Sequence, residues 1–240
     1  MPFVSMRTSN PERDPERFAP IRQAPQADAG EEHCATFSLV AVDRKAGRFG
    51  AAVASKYFAV GPAVLHLRQG VGACNTQSAN KHLLAERALA RMAEGADPQD
   101  ALAYALEGDD RPETRQLLAI DARARMGAYT GSSCTPAHAH RMGRACVAAG
   151  NTLTGEDVVA AMVEAFERDP GRPLGERLLA ALEAGDARGG DSRGKQSAAL
   201  RTLPVPADRH ESVYVDIRVD DHPEPFAELR RLYEKRWQGK

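Results

Sequence analysis

Aromatic residues are scarce in this chain, with 7 Phe, 5 Tyr and 1 Trp in 240 positions. Stacking platforms for nucleic-acid bases need more aromatic faces than that, so nucleic acid is not an expected partner. Neither sign of charge is in excess: 32 Lys and Arg stand against 33 Asp and Glu. A chain so balanced has no broad field to draw it onto polyanions or a membrane surface. No apolar run reaches the length of a membrane span. Residues 2–33 hold no apolar stretch of signal-peptide length, although Arg7 lies near the start. No membrane association is expected, and the cytoplasm is the expected location. The four cysteines, Cys34, Cys74, Cys134 and Cys146, contain no CxxC pair, which argues against a zinc module and against a disulfide framework. Cys134, His138 and His140 supply donors enough to raise the question of a metal, but no fourth ligand stands at a recognised spacing. His66, His82, His210 and His222 are scattered. No metal and no cofactor is expected.

Residues 1–33 are rich in Pro, Arg, Glu and Gln and lack apolar periodicity. Such a segment cannot bury enough surface to offset its ordering entropy, so it reads as a disordered extension ahead of one domain over residues 34–240. The domain opens on Ala35-Thr36-Phe37-Ser38-Leu39-Val40-Ala41-Val42-Asp43, a short apolar and β-branched run that predicts a buried strand over residues 36–43. A Gly47-bearing turn joins it to an antiparallel partner over 49–55. A second pair is predicted over 62–68 and 71–76. The helical spacing of Leu83, Leu84, Ala88, Leu89 and Met92 predicts a helix over 82–93. Asp97-Pro98 then supplies a cap and a first-turn proline for the next helix.

Strands are expected again over 116–121, 126–130 and 144–149, with a loop around Cys134 and Pro136 between the last two. A helix opening at Thr154 or Gly155 follows, then a short one over 174–182 stopped by Gly185. A Gly-rich loop over 188–194 leads to strands over 196–203 and 213–219 and a last amphipathic helix over 226–237. Hairpin-linked strands with paired helices argue for antiparallel α+β layering and against a βαβ repeat.

Several residues could carry chemistry. Thr36 has a hydroxyl, Ser55 and Lys56 end the second strand, and Thr76 and Gln77 end a later one. Asn151 follows Gly150, and Arg115 precedes a strand, where it could meet a carboxylate. Asp191 and Arg193 lie in the Gly-rich loop, where Gly189 and Gly190 let the backbone approach a ligand closely. Arg193 could hold a substrate carboxylate bidentately with Asp191 orienting it. The ordinary alternatives are a strand-bound Thr36, a solvated Lys56, strand-end hydrogen bonds at Thr76 and Gln77, a turn at Asn151, and a loop-fixing salt bridge between Asp191 and Arg193. The loop lacks the spacing of a phosphate cradle.

Taken in order, a set of blocks resembles the domain-of-unknown-function 1028 family. They include Thr36-Phe37-Ser38-Leu39-Val40-Ala41, Gly50-Ala51-Ala52-Val53-Ala54-Ser55, Gly70-Val71-Gly72-Ala73 with Thr76-Gln77, and Tyr129-Thr130-Gly131. Gly150-Asn151, the stretch from Gly189 to Leu200, and Val215-Asp216-Ile217-Arg218-Val219-Asp220 continue it. The resemblance runs from Thr36 to the C-terminus. It implies the N-terminal-nucleophile (Ntn) hydrolase superfamily and its fold, an α+β four-layer αββα sandwich with two mainly antiparallel sheets.

It also implies an amidohydrolase in which Thr36, once the first residue of the chain, attacks an amide carbonyl with its own amine as general base. A free α-amine has a pKa of about 7.7–8.0, close to what a base near neutral pH requires. An internal amide nitrogen, its lone pair delocalised, cannot serve. The sequence departs from the simplest form of this pattern, because 35 residues precede Thr36. Activity by this route requires a cut between Ala35 and Thr36. In this reading Lys56 depresses the amine's pKa by like-charge repulsion, and Ser55, Thr76, Gln77 and Asn151 supply donors. Cys34 is a competing nucleophile if the cut fell after His33. The expected substrate is a small amide, cyclic amide or peptide-like compound, and self-association as a homodimer or higher homo-oligomer fits the superfamily. The alternative is a non-catalytic small-molecule-binding module on the same fold, its N-terminus never processed.

Overall fold

The computed structural model describes residues 33–205 and 215–237. The expected extension over 1–33 lies outside them except at its last residue. The first strand is short: β1 (His33–Cys34) leads into β2 (Phe37–Asp43), which turns back as β3 (Arg48–Ser55). Then come α1 (Val60–Val64), β4 (Leu65–Arg68), β5 (Gly72–Ala79), α2 (His82–Ala93) and α3 (Pro98–Leu106). A 3-10 turn (Pro112–Thr114) precedes β6 (Arg115–Asp121), followed by β7 (Met126–Thr130), β8 (Ala139–Met142) and β9 (Cys146–Gly150). The chain ends with α4 (Asp157–Arg168), α5 (Leu174–Ala187), β10 (Ser197–Pro204), β11 (Val215–Val219) and α6 (Pro225–Trp237). The first two positions of the strand expected over 213–219 lie outside the described residues.

The strands form two antiparallel sheets. One runs β11-β10-β3-β2-β9-β8; the other runs β1-β5-β6-β7, with β4 also paired to β5. Both β1 and β4 lie on the same side of β5, because β6 pairs with its other side along its whole length. The two-residue period of a strand sorts its side chains to two faces. In β2, Phe37, Leu39 and Ala41 pack with α4, α5 and α6, while Val40 and Val42 pack with Val53, Leu118 and Ile120 of both sheets. Strand β2 is covered on both faces, which is why its sequence is apolar on both from Leu39 to Val42. A third apolar cluster joins α2 and α3 to Cys74, Leu117 and Ala119 on the outer face of the smaller sheet.

Local chemistry explains most boundaries. Asp97 Oδ1 accepts from the Gln99 backbone N–H at 3.0 Å, and Pro98 sits at the first helical position, as the sequence predicts. Three expectations need correction. Residues 62–64 are helical and not strand. Pro62 lies in the first turn of α1, where its missing N–H leaves no bond unmade. Gly185 does not stop α5, which runs on to Ala187. A Cβ at position 185 would lie 3.0 Å from Met162 Cγ and 3.1 Å from the Phe37 ring, so glycine here allows close packing. The helix ends instead before Gly189 and Gly190, both at positive φ. Finally, the expected loop between β7 and β9 contains β8. This edge strand is exposed along His140, Arg141 and Met142 and so has no apolar alternation to betray it.

Candidate functional site

The space between the two sheets is apolar at one end and polar at the other. Val40, Val42, Phe49 and Ile120 fill the apolar end. Toward the start of β2, the positions that continue the same face are Ser38 and then Thr36. Across from them β3 ends at Ser55, paired with Ser197 of β10, and β9 ends at Gly150 with Asn151 beyond. The smaller sheet contributes Gln77 from β5, Gln116 from β6 and Thr130 from β7. Thr36, Ser38, Ser55, Gln77, Gln116 and Asn151 are all buried, with Thr36 fully inaccessible.

The peptide that joins Ala35 to Thr36 is held at its oxygen by two donors. Ser55 Oγ donates to the Ala35 carbonyl in a short contact, and Arg193 Nη2 donates to it at 3.0 Å. Arg193 is aimed by Asp191: Nε meets Oδ1 at 3.1 Å and Nη2 meets Oδ2 at 2.8 Å. Asp191 is fixed in turn by the backbone N–H groups of Arg193, at 3.0 Å, and Lys56, at 3.1 Å. Its carboxylate is fully buried, while the Arg193 side chain keeps 40 % of its surface. The loop-fixing ion pair expected as the ordinary alternative is present, and the same guanidinium also reaches the Ala35 carbonyl. Gly190, just before Asp191, has φ 53°, and a Cβ there would stand 3.0 Å from the Phe37 ring, so glycine fits this turn.

The Thr36 carbonyl is held separately. The Asn151 backbone N–H donates to it at 3.0 Å, and Gln77 Nε2 reaches it at 3.5 Å. Gln77 Oε1 accepts from Ser38 Oγ at 2.6 Å, and Gln77 Nε2 also donates to Gln116 Oε1 at 2.8 Å. Gln116 is the hub. Its Oε1 also accepts from Asn151 Nδ2 at 3.0 Å, and its Nε2 donates to the Gly150 carbonyl at 3.0 Å and to Thr130 Oγ1 at 3.1 Å. Thr130 Oγ1 meets His140 Nδ1 of β8 at 2.9 Å. Although the residue is largely exposed, partial burial of its ring lowers the His140 pKa, so the ring favours the neutral form.

Among the sequence-predicted residues, Thr36, Ser55, Gln77, Asn151, Asp191 and Arg193 come together. Three do not join them. The Lys56 side chain is exposed, and only its backbone reaches the site, through Asp191. Thr76 lies next to Gln77 on β5 and so points to the opposite face, where its hydroxyl contacts Asn80 and accepts from the Lys81 N–H at 3.4 Å. Arg115 is buried in an ion pair with Asp109, Nε to Oδ1 at 3.0 Å, and donates to the Ala79 carbonyl at 2.8 Å. Lys81 shares Asp109 at 2.8 Å.

Asp109 is therefore a structural anchor. Burial pushes its carboxyl up, but hydrogen bonds from Lys81 and Arg115 outweigh burial and hold it below the usual carboxylate range. A group whose folded pKa is depressed stabilises the fold above its unfolded value and loses that contribution as pH falls through the folded one. Asp109→Ala takes from buried Arg115 the nearer of two carboxylates, leaving Asp110 at 3.6 Å, and is expected to cost about 3 kcal/mol. Thermal melts check this: the gap in Tm between Asp109→Ala and the parent is wide at pH 7 and closes in acid below the ordinary carboxylate range.

The metal donors considered at Cys134, His138 and His140 turn to other partners. Cys134 Sγ donates to the Arg115 carbonyl at 3.3 Å, His138 Nδ1 lies 3.2 Å from the Thr135 carbonyl, and His140 faces Thr130. Among the described residues no three His, Cys, Asp or Glu converge as a metal site, and no helix is long and apolar enough to cross a membrane. Sequence reasoning missed Ser38, Gln116, Thr130 and His140 as members of the network. The signal for Gln116 was partial: it is a long polar side chain next to the apolar run Leu117-Leu118-Ala119-Ile120, but Arg115 stands beside it with an equal claim.

Comparison with known proteins places the chain. Residues 36–229 match a family of unknown function, DUF1028. The chain belongs to that family. The crystal structure of the DUF1028 protein SPO2555 from Silicibacter pomeroyi is similar at 33 % identity and a TM-score of 0.75, over 83 % of this chain and 88 % of the other. Anbu, an ancestral β-subunit from Yersinia bercovieri, matches at 12 % identity and a TM-score of 0.39, over 85 % of this chain and 96 % of that one. No curated protein matches this DUF1028 chain.

Proposed function

We propose that this DUF1028 protein is an amidohydrolase of the N-terminal-nucleophile type, with Thr36 as nucleophile once the Ala35–Thr36 bond is cut, and that its layers form the αββα sandwich of that superfamily. Three apolar clusters support the layering: helices on one sheet, sheet on sheet, and helices on the other. The observation that carries the catalytic reading is the pair of donors, Ser55 Oγ and Arg193 Nη2, on the carbonyl of Ala35. Donors aimed at a carbonyl oxygen stabilise the oxyanion that forms when a nucleophile attacks its carbon. The nearest hydroxyl along the chain is that of Thr36 itself. The family match also begins at Thr36.

The cut proceeds without a co-reactant other than water. Thr36 Oγ attacks the Ala35 carbonyl carbon, the C–N bond breaks, and the proton passes from Oγ to the departing nitrogen. The result is an Ala35 ester on Oγ and a free Thr36 amine. Water then attacks the ester, the amine takes a proton from it, and the C–O bond breaks as Oγ regains its proton. The same amine and hydroxyl next serve a substrate amide. Ser55 and Arg193, relieved of Ala35, polarise the substrate carbonyl, or Arg193 holds a substrate carboxylate. Asn151 and Gln77, tied together through Gln116, fix the Thr36 backbone.

Complete burial of Thr36 in the uncut chain favours a second reading, a binding module that is never processed. Intact-mass measurement on protein made in its native host decides between them. A chain that starts at Thr36 is the expected result. A chain that keeps Ala35 and is inert toward a broad amide panel overturns the enzyme reading.

A further inference from the structure

The segment ahead of Thr36 is seated as a strand. His33 pairs with Ala79 and Cys34 with Ser78, antiparallel, along the edge of β5 that β4 leaves open. Ala35 follows with 5 % of its surface exposed, so a larger side chain there would have to displace its neighbours. Its carbonyl rests on Ser55 and Arg193. We infer that this seat is the substrate site, and that the substrate is an extended peptide which adds to the edge of β5 and presents a small residue, alanine-like, on the carbonyl side of the bond that is cut.

The inference rests on the proposed Thr36 chemistry and takes it one step further. The ester formed during the self-cut is the peptide acyl group ending in Ala35, carried on Thr36 Oγ beside a free amine. An acyl-enzyme made from an outside peptide ending in alanine is the same species. A chain able to hydrolyse the first is built to hydrolyse the second. Departure of residues up to Ala35 frees the backbone groups of Ser78 and Ala79, and an incoming peptide re-forms the main-chain hydrogen bonds, the mode by which extended peptides extend a sheet. In the outside reaction Thr36 Oγ attacks the peptide carbonyl, its proton moves through the Thr36 amine to the leaving nitrogen, and water then releases the peptide acid.

The test uses protein purified from full-length expression, with its mass measured, and the fluorogenic probe acetyl-Glu-His-Ser-Ala-aminomethylcoumarin, in which Ser replaces the thiol of Cys34. The expected kcat/KM exceeds that of the matching Leu and Phe probes by at least tenfold. It also exceeds that of acetyl-Ala-aminomethylcoumarin, which has no strand to pair, by at least tenfold. N-methylation at one of the two residues ahead of alanine produces a loss of similar size. A chain cut at Thr36 that takes Leu, Phe and Ala probes alike, or the short probe as fast as the long one, overturns this inference and leaves the nucleophile assignment standing. A chain that stays uncut and inert overturns both.

Discussion

A Thr36→Ala chain keeps its full mass and hydrolyses no amide. Alanine has no Oγ, so neither the ester with Ala35 nor an acyl-enzyme with substrate can form, and the expected loss of turnover is complete within detection. The substitution removes one methyl and one hydroxyl from a buried position, and the neighbouring register, Phe37 opposite Ala54 and Gly150, does not depend on it. The variant therefore folds, and a melt near that of the parent checks this. Thr36→Ser keeps the hydroxyl and is expected to be cut and active at a reduced rate. In the matured parent, the rate rises with pH through about 7.7–8.0, the range in which an α-amine loses its proton and becomes a base. Two results would count against the assignment. A Thr36→Ala chain cut at Ala35 would give the cleavage to another protease, and one that hydrolyses substrate at the parental rate would remove Thr36 as the nucleophile.

Arg193→Ala is expected to slow the Ala35–Thr36 cut by about 100-fold, the loss typical of a single oxyanion donor. The argument depends on what the variant leaves in place. Asp191 keeps the backbone N–H groups of Lys56 and residue 193, so its buried carboxylate is still hydrogen-bonded and the loop keeps its shape. Ser55 still holds the carbonyl. Arg193→Lys retains the charge without the planar fork that Asp191 orients, and recovers only part of the rate. The measurement is the fraction of cut chain against time by mass spectrometry, with thermal unfolding to show that the fold is intact. Cleavage of Arg193→Ala at the parental rate would show that the guanidinium does not act on this carbonyl.

The hairpin of β2 and β3, the helices α2 and α3 and the Gly-rich loop were legible because each has a strong local mark: an apolar run, a 3.6-residue stripe, a capped proline, a glycine cluster. Pro62, Gly185 and β8 were not. Their conformations are settled by neighbours distant in sequence, such as Phe37 and Met162 against Gly185, or by edge pairing that needs no apolar pattern. At the site, parity made the difference. Thr76 and Gln77 look equally suited on paper, as do Arg115 and Gln116. In each pair a strand turns one residue inward and the other out, and no property of the side chains says which. Gln77 and Gln116 face Thr36; Thr76 and Arg115 hold the outer layer together.

The hairpin also has a practical side. Thr36 and Ser55 lie where β2 begins and β3 finishes, and the 44–47 turn lies at the other end, seven strand residues away, or roughly 20 Å. A fluorophore attached at exposed Lys45 or Ala46 can report on the protein without touching the chemistry. Under the proposed cut between Ala35 and Thr36, an affinity tag fused ahead of residue 33 is lost while a C-terminal tag is kept, so following both on the same gel times that cut.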